Sequence, residues 1–161
     1  MNRLHQFLHL LSLSRPLAVP TTAMATDPLH DTIIIDGETR QLSSGGDALP
    51  RTQRLIAARI AQRCNAPGGP VGRYRLAEGR IWLIGLRSCG ADLPVREIYP
   101  EFDDPTPALW LNGVLLARWD FLCPSRRHTG NEYRFELRLE VKDAVVTAMQ
   151  QQQTNNQAFC K

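Results

Sequence analysis

From Tyr133 to Val141 the chain changes character at every second residue. Tyr133, Phe135, Leu137, Leu139 and Val141 alternate with Arg134, Glu136, Arg138 and Glu140. That period predicts a strand with the first set on a core and the second in water. After Lys142-Asp143 the chain returns through Val145, Thr147 and Met149 on one face, which completes an antiparallel hairpin. Three earlier stretches carry hairpin signals. Ile33–Ile35 and Thr39–Leu42 flank Asp36-Gly37, and Gly72–Leu76 and Arg80–Leu86 flank Ala77-Glu78-Gly79. Leu109–Leu111 and the residues from Val114 onward flank Asn112-Gly113. Such pairs supply the positive φ angles of tight β-turns. Ile81 to Leu86 is apolar on both parities, which predicts a central strand covered on both faces.

A helical pattern occurs once, over about residues 48–64, where Leu55, Ile56, Ala57, Ile60 and Ala61 follow one another without glycine or proline. Asp47 is the expected cap, Pro50 falls in the first turn, and Arg59 and Arg63 complement the C-terminal dipole. Asn65 to Pro70 stops it, and a single helical turn is expected after Asp92-Leu93-Pro94. Asp103–Pro107 and the polar run Gln150–Gln157 read as non-elements, the latter tied down by Phe159-Cys160. The expected fold is mainly β: antiparallel hairpins forming a small barrel or two-layer sandwich, with one packed α-helix.

The N-terminus differs from this pattern. Arg3, then Phe7, Leu8, Leu10, Leu11 and Leu13, then Ala23-Met24-Ala25 follow the order of a cleavable signal peptide, with no acid in the segment. Residues 1–25 are therefore expected to be removed, leaving 26–161 as a single β-rich domain. Loss of Arg3 and Arg15 takes the 19 basic residues to 17, against 16 acidic ones. A chain so nearly neutral, its charges alternating in sign, gives no reason to expect nucleic acid. No apolar stretch is long enough to span a bilayer. Four widely spaced cysteines, without any C-x-x-C pair, read as a disulfide framework in an oxidising compartment, periplasmic or extracellular. Extrapolated hairpin register brings Cys64 near Cys89 and Cys123 near Cys160, so those are the expected pairs.

The motifs name no reaction. Gly-x-Ser-x-Gly and His-Glu-x-x-His are absent, no catalytic residue is assigned, and no metal or cofactor is expected. The acids Glu97, Glu101, Asp103 and Asp104 read as a solvated loop. Trp82, Trp110 and Trp119 read as core, although a carrier barrel would line its cavity with them. Arg126, Arg127 and His128 form the one basic loop cluster and are the expected binding residues for an acidic partner. Together these features lead to an exported, non-enzymatic protein-binding module, resembling an inhibitor or immunity protein in kind. A small-ligand carrier and a hydrolase with a dispersed site are the alternatives.

Overall fold

The computed structural model describes residues 29–61, 69–89, 91–126 and 130–160. The elements are β1 (Thr32–Ile35), β2 (Glu38–Ser43), α1 (Gln53–Ala61), β3 (Val71–Ala77), β4 (Arg80–Ser88) and β5 (Ala91–Leu93). They continue with α2 (Val95–Ile98), β6 (Thr106–Pro107), β7 (Gly113–Pro124), β8 (Asn131–Lys142), β9 (Val145–Gln153) and a 3-10 turn at Asn156–Phe159. The protein is mainly β. Its strands form one nine-stranded sheet in the order β3-β1-β2-β7-β8-β9-β4, and β4 pairs back with β3. The sheet therefore closes into a ring, with β5 and β6 attached to β4.

Turn chemistry sets the hairpins. Asp36 and Gly37 (φ 53° and 82°), Glu78 and Gly79 (53° and 71°), and Asp143 and Ala144 (50° and 65°) each place two residues in the left-handed region. That is the type I′ geometry whose twist matches the flanking strands. One pairing departs from the antiparallel expectation. β1 and β3 run parallel, Thr32 opposite Arg73, because the chain crosses through α1 between β2 and β3.

Inside the ring, Ile33, Tyr74, Ile81, Leu83, Leu86, Leu115 and Leu139 are buried. Each such aliphatic side chain is worth roughly 1.5–3 kcal/mol of transfer free energy. The segment Ala48-Leu49-Pro50 is held against this core by three donors. The Tyr74 hydroxyl and Trp110 Nε1 donate to Ala48 O, the latter at 2.8 Å, and the Tyr99 hydroxyl donates to Pro50 O at 2.8 Å. Tyr99, Phe102 and Trp110 stack in a row, with centroids 5.0 and 5.1 Å apart. Gly72 is required beside Tyr74, since a Cβ there would lie 2.7 Å from the ring Cζ and hydroxyl oxygen.

Several sequence expectations are corrected. α1 starts later than residue 48: the Leu55 N–H donates to Thr52 Oγ1 at 3.1 Å, so Thr52 is the cap. Asp47 instead takes the Arg59 guanidinium at 3.1 Å, and Pro50 precedes the helix. No hairpin turns at Asn112-Gly113. Asn112 Oδ1 accepts the Asp143 N–H at 2.9 Å and Leu111 O accepts the Ala144 N–H, so this corner buttresses the β8–β9 turn. β7 meanwhile spends its two edges on β2 and β8. β4 is covered on one face only: Ile81, Leu83 and Leu86 are buried, whereas Trp82 and Ile84 are half-buried. Thr106–Pro107, expected as loop, pairs briefly with β4. Gln150–Gln153 are not a tail; they are the second half of β9, paired with Phe135 to Arg138.

Candidate functional site

The β7–β8 end carries the part of the sequence-predicted site that the structure describes. Asp120 (φ 58°) and a register shift between Phe121 and Cys123 break the β7 ladder. The strand then continues to an antiparallel bridge between Ser125 and Cys160. Cys123 and Cys160 lie at disulfide-bonding distance, Cα atoms 5.4 Å apart. The Arg126 N–H donates to Phe159 O at 2.7 Å, so the tail and the loop root are tied by main chain as well. Ser125, fully buried, donates its hydroxyl to the buried carboxylate of Glu132. A loop root fixed in these ways has little main-chain freedom left to lose.

On this scaffold Phe121 stands 54% exposed, against the edge of Tyr133 at 6.1 Å. Its exposure was not anticipated: Phe121 keeps the parity of Leu115 and Ala117 and pairs in register with Tyr133, but it lies beyond the buried stretch of β7. Tyr133 donates its hydroxyl to Gln41 Oε1, and its carbonyl accepts the Thr154 hydroxyl. Beside it lies a polar hollow of about 100 Å³, lined by Arg118, Asn131, Glu132, Tyr133, Glu136 and Thr154. Its charges are matched: Arg118 pairs with Glu136 at 2.7 Å, and nearby Arg134 pairs with Asp120 at 3.0 Å. Arg126 is exposed and has no ion-pair partner among the described residues. Arg127 and His128 lie outside the described residues, as does Cys64 of the expected Cys64–Cys89 pair; Cys89 itself is disulfide-bonded.

A second hollow, of about 310 Å³, brings together His30, Asp31, Ser43, Asp47 and Arg59 next to the Gly45-Gly46 loop. Burial raises the Asp31 carboxyl above its ordinary 3.8, opposed by the Gly72 N–H at 2.5 Å and by Arg59. Nothing in the sequence marked Asp31, because only the parallel β1–β3 pairing brings Gly72 to it.

The remaining expectations are dispersed over the fold. Trp110 joins the ring stack, Trp119 stacks on Phe135 at 5.4 Å beneath the buried Arg40, and Trp82 lines a separate surface hollow with Arg75 and Pro105. Glu97, Glu101, Asp103 and Asp104 are exposed, Asp103 paired with Arg96 at 3.1 Å. Among the described residues no group of three or more His, Cys, Asp or Glu could hold a metal, and no helix is long and apolar enough to cross a membrane. No family model, no curated protein and no solved structure matches this chain.

Proposed function

We propose that this is an exported, non-enzymatic protein-binding module, periplasmic or secreted, that engages an acidic partner through the pinned end of the β7–β8 hairpin. One observation carries the reading: Phe121 is left 54% exposed on the hairpin end that also presents Arg126. Aromatic side chains and arginine are the residue types that dominate binding hot spots. An arginine with no ion-pair partner among the described residues keeps its charge available for a partner, and such charges act mainly on association rate. Cysteines at disulfide distance hold the loop root and fit an oxidising compartment.

Capture from periplasmic extract and from culture fluid, followed by mass spectrometry, tests it. The bait is used as wild type and as the Phe121→Ala, Arg126→Glu double variant. The expected result is a protein retained by the wild type and lost from the variant, with melting temperatures within a few degrees of each other. With the purified partner, the variant should also associate more slowly and with a shallower salt dependence. Identical capture by both baits would overturn the assignment of this surface.

A further inference from the structure

β9 has one partnered edge. Along it the strand pairs with β8, from Lys142↔Val145 to Phe135↔Gln153. On the other side it meets β4 only at Arg80↔Val145, where the Val146 N–H also donates to Gly79 O at 2.9 Å. The reason is a bulge. Glu140 faces Ala148 while Val141 faces Val146, so Thr147 is an extra residue, its hydroxyl donating to Glu140 O at 3.1 Å. Bulges bend a strand and increase its twist, and here the bend carries β9 away from β4. Beyond it, among the described residues, no strand pairs with this edge.

The open edge has a definite set of free groups. The Thr154 N–H donates to Arg134 O at 2.8 Å, so Thr154 and Arg134 form a hydrogen-bonded pair. Alternation along an antiparallel ladder then turns the main chain of Gln152 and Gln150 toward β8, and that of Met149, Gln151 and Gln153 outward. Every β9 residue except Val146 is exposed, Met149 by 60%. Beside the edge, Leu76, Val146 and Met149 line an apolar hollow of about 260 Å³.

Monomeric proteins guard such edges with lysine, proline or inward charges. From Val145 to Gln153 this strand has no charged residue, no proline and no glycine. We infer that the edge is a dimerisation strand: two copies of the chain pair β9 to β9, antiparallel, about a two-fold axis at Gln151. That axis sets Gln151 opposite its own copy and Met149 opposite Gln153 of the partner copy, each pair exchanging both main-chain bonds. A side-chain amide carries donor and acceptor together and is complementary to itself. No like charges meet across such a seam, and a charged foreign strand would find no opposite charge on it. Isologous pairing uses up the same edge on both subunits, so the assembly closes at two.

The seam is the outer edge of β9, two strands across from Phe121 on β7, and the test reads mass instead of partner capture. Sedimentation of the full mature protein at micromolar concentration should give twice the mass of one chain. Gln151→Lys, which places like charges across the axis, should weaken dimerisation at least tenfold. Gln151→Pro removes only an outward N–H and should do the same, since the ladder with β8 keeps its bonds. Met149→Lys combined with Gln153→Glu puts opposite charges across each pair and should keep the dimer. A wild-type monomer at that micromolar concentration, a larger assembly, or a dimer indifferent to Gln151→Lys would overturn the proposal.

Discussion

The two ends of the barrel wall are built on opposite principles. Around β3 and β4, Tyr74, Ile81, Leu83 and Leu86 are enclosed, the Ala48–Pro50 segment is hydrogen-bonded over them, and Gly72 leaves no room for a methyl group. Along β9 the same sheet continues with almost no burial; Leu139 is fully buried while Met149, directly opposite it on β8's neighbour, is mostly in water. Main-chain pairing separates them, since β3 and β4 are paired on both edges and β9 beyond its bulge on one. Side-chain enclosure separates them further. Stability is therefore concentrated on the β3–β4 side, and β9 is available for contacts that monomer folding does not need.

The largest effect that would break this contrast comes from paired truncations. Leu83→Ala deletes a fully buried side chain from the enclosed side and should cost about 2–5 kcal/mol. Met149→Ala on the open side should change monomer stability by no more than about 0.5 kcal/mol. Urea unfolding of both variants at low protein concentration measures the two. Equal losses would mean that β9 is packed in solution.

Gly72→Ala sharpens the same comparison at a single atom. The added methyl meets the ring of Tyr74, which is fully buried and anchored through its hydroxyl to Ala48 O. Overpacking of this kind costs roughly 1–3 kcal/mol. Gly85, where a Cβ meets nothing within 4 Å, is the control on the neighbouring strand. Gly85→Ala should be near neutral in the same unfolding experiment, and a loss at Gly85 as large as at Gly72 would sink the steric account.

Legibility in the sequence followed the same division. The enclosed side announced itself: Asp36-Gly37, Glu78-Gly79 and the alternation Leu137, Leu139, Val141 each carry a local physical signal, a φ angle or a period. The open side carried a period only in its first half, at Val145, Thr147 and Met149. Gln150 to Gln153 repeat one polar residue, so no face can be read from them, and only pairing with Phe135–Arg138 makes them a strand. Asn112-Gly113 carried a strong local signal that tertiary demand overrode, because the Asn112 amide was taken by the Asp143 N–H. Of the proposed site, Arg126 was marked by charge clustering, whereas Phe121 shares the parity of the buried Leu115 and Ala117, so spacing alone does not show that it lies past the end of the core. Cys160 reaches Cys123 by a route that hairpin counting did not describe. The chain leaves β9, makes the 3-10 turn, and returns to the far end of β7 at the Ser125 bridge.

The smallest effect comes from Asp31, which borders the enclosed side and sets burial against local donors. Burial raises its carboxyl above 3.8, ahead of the opposing pulls of the Gly72 N–H and Arg59. Between 3.8 and its raised folded value, the native state holds more of this proton than the unfolded chain does. Stability contributed by the group must then fall as pH rises through that window, and level off above it. Asp31→Asn keeps an oxygen to accept the Gly72 N–H but cannot ionise, so it should remove this slope. The stability of the wild type minus that of the variant, followed by urea unfolding from about pH 3.5 upward, should decline and then become flat. A difference that grows with pH would mean that the Gly72 and Arg59 interactions outweigh desolvation, and that this corner of the barrel is wetter than its packing implies.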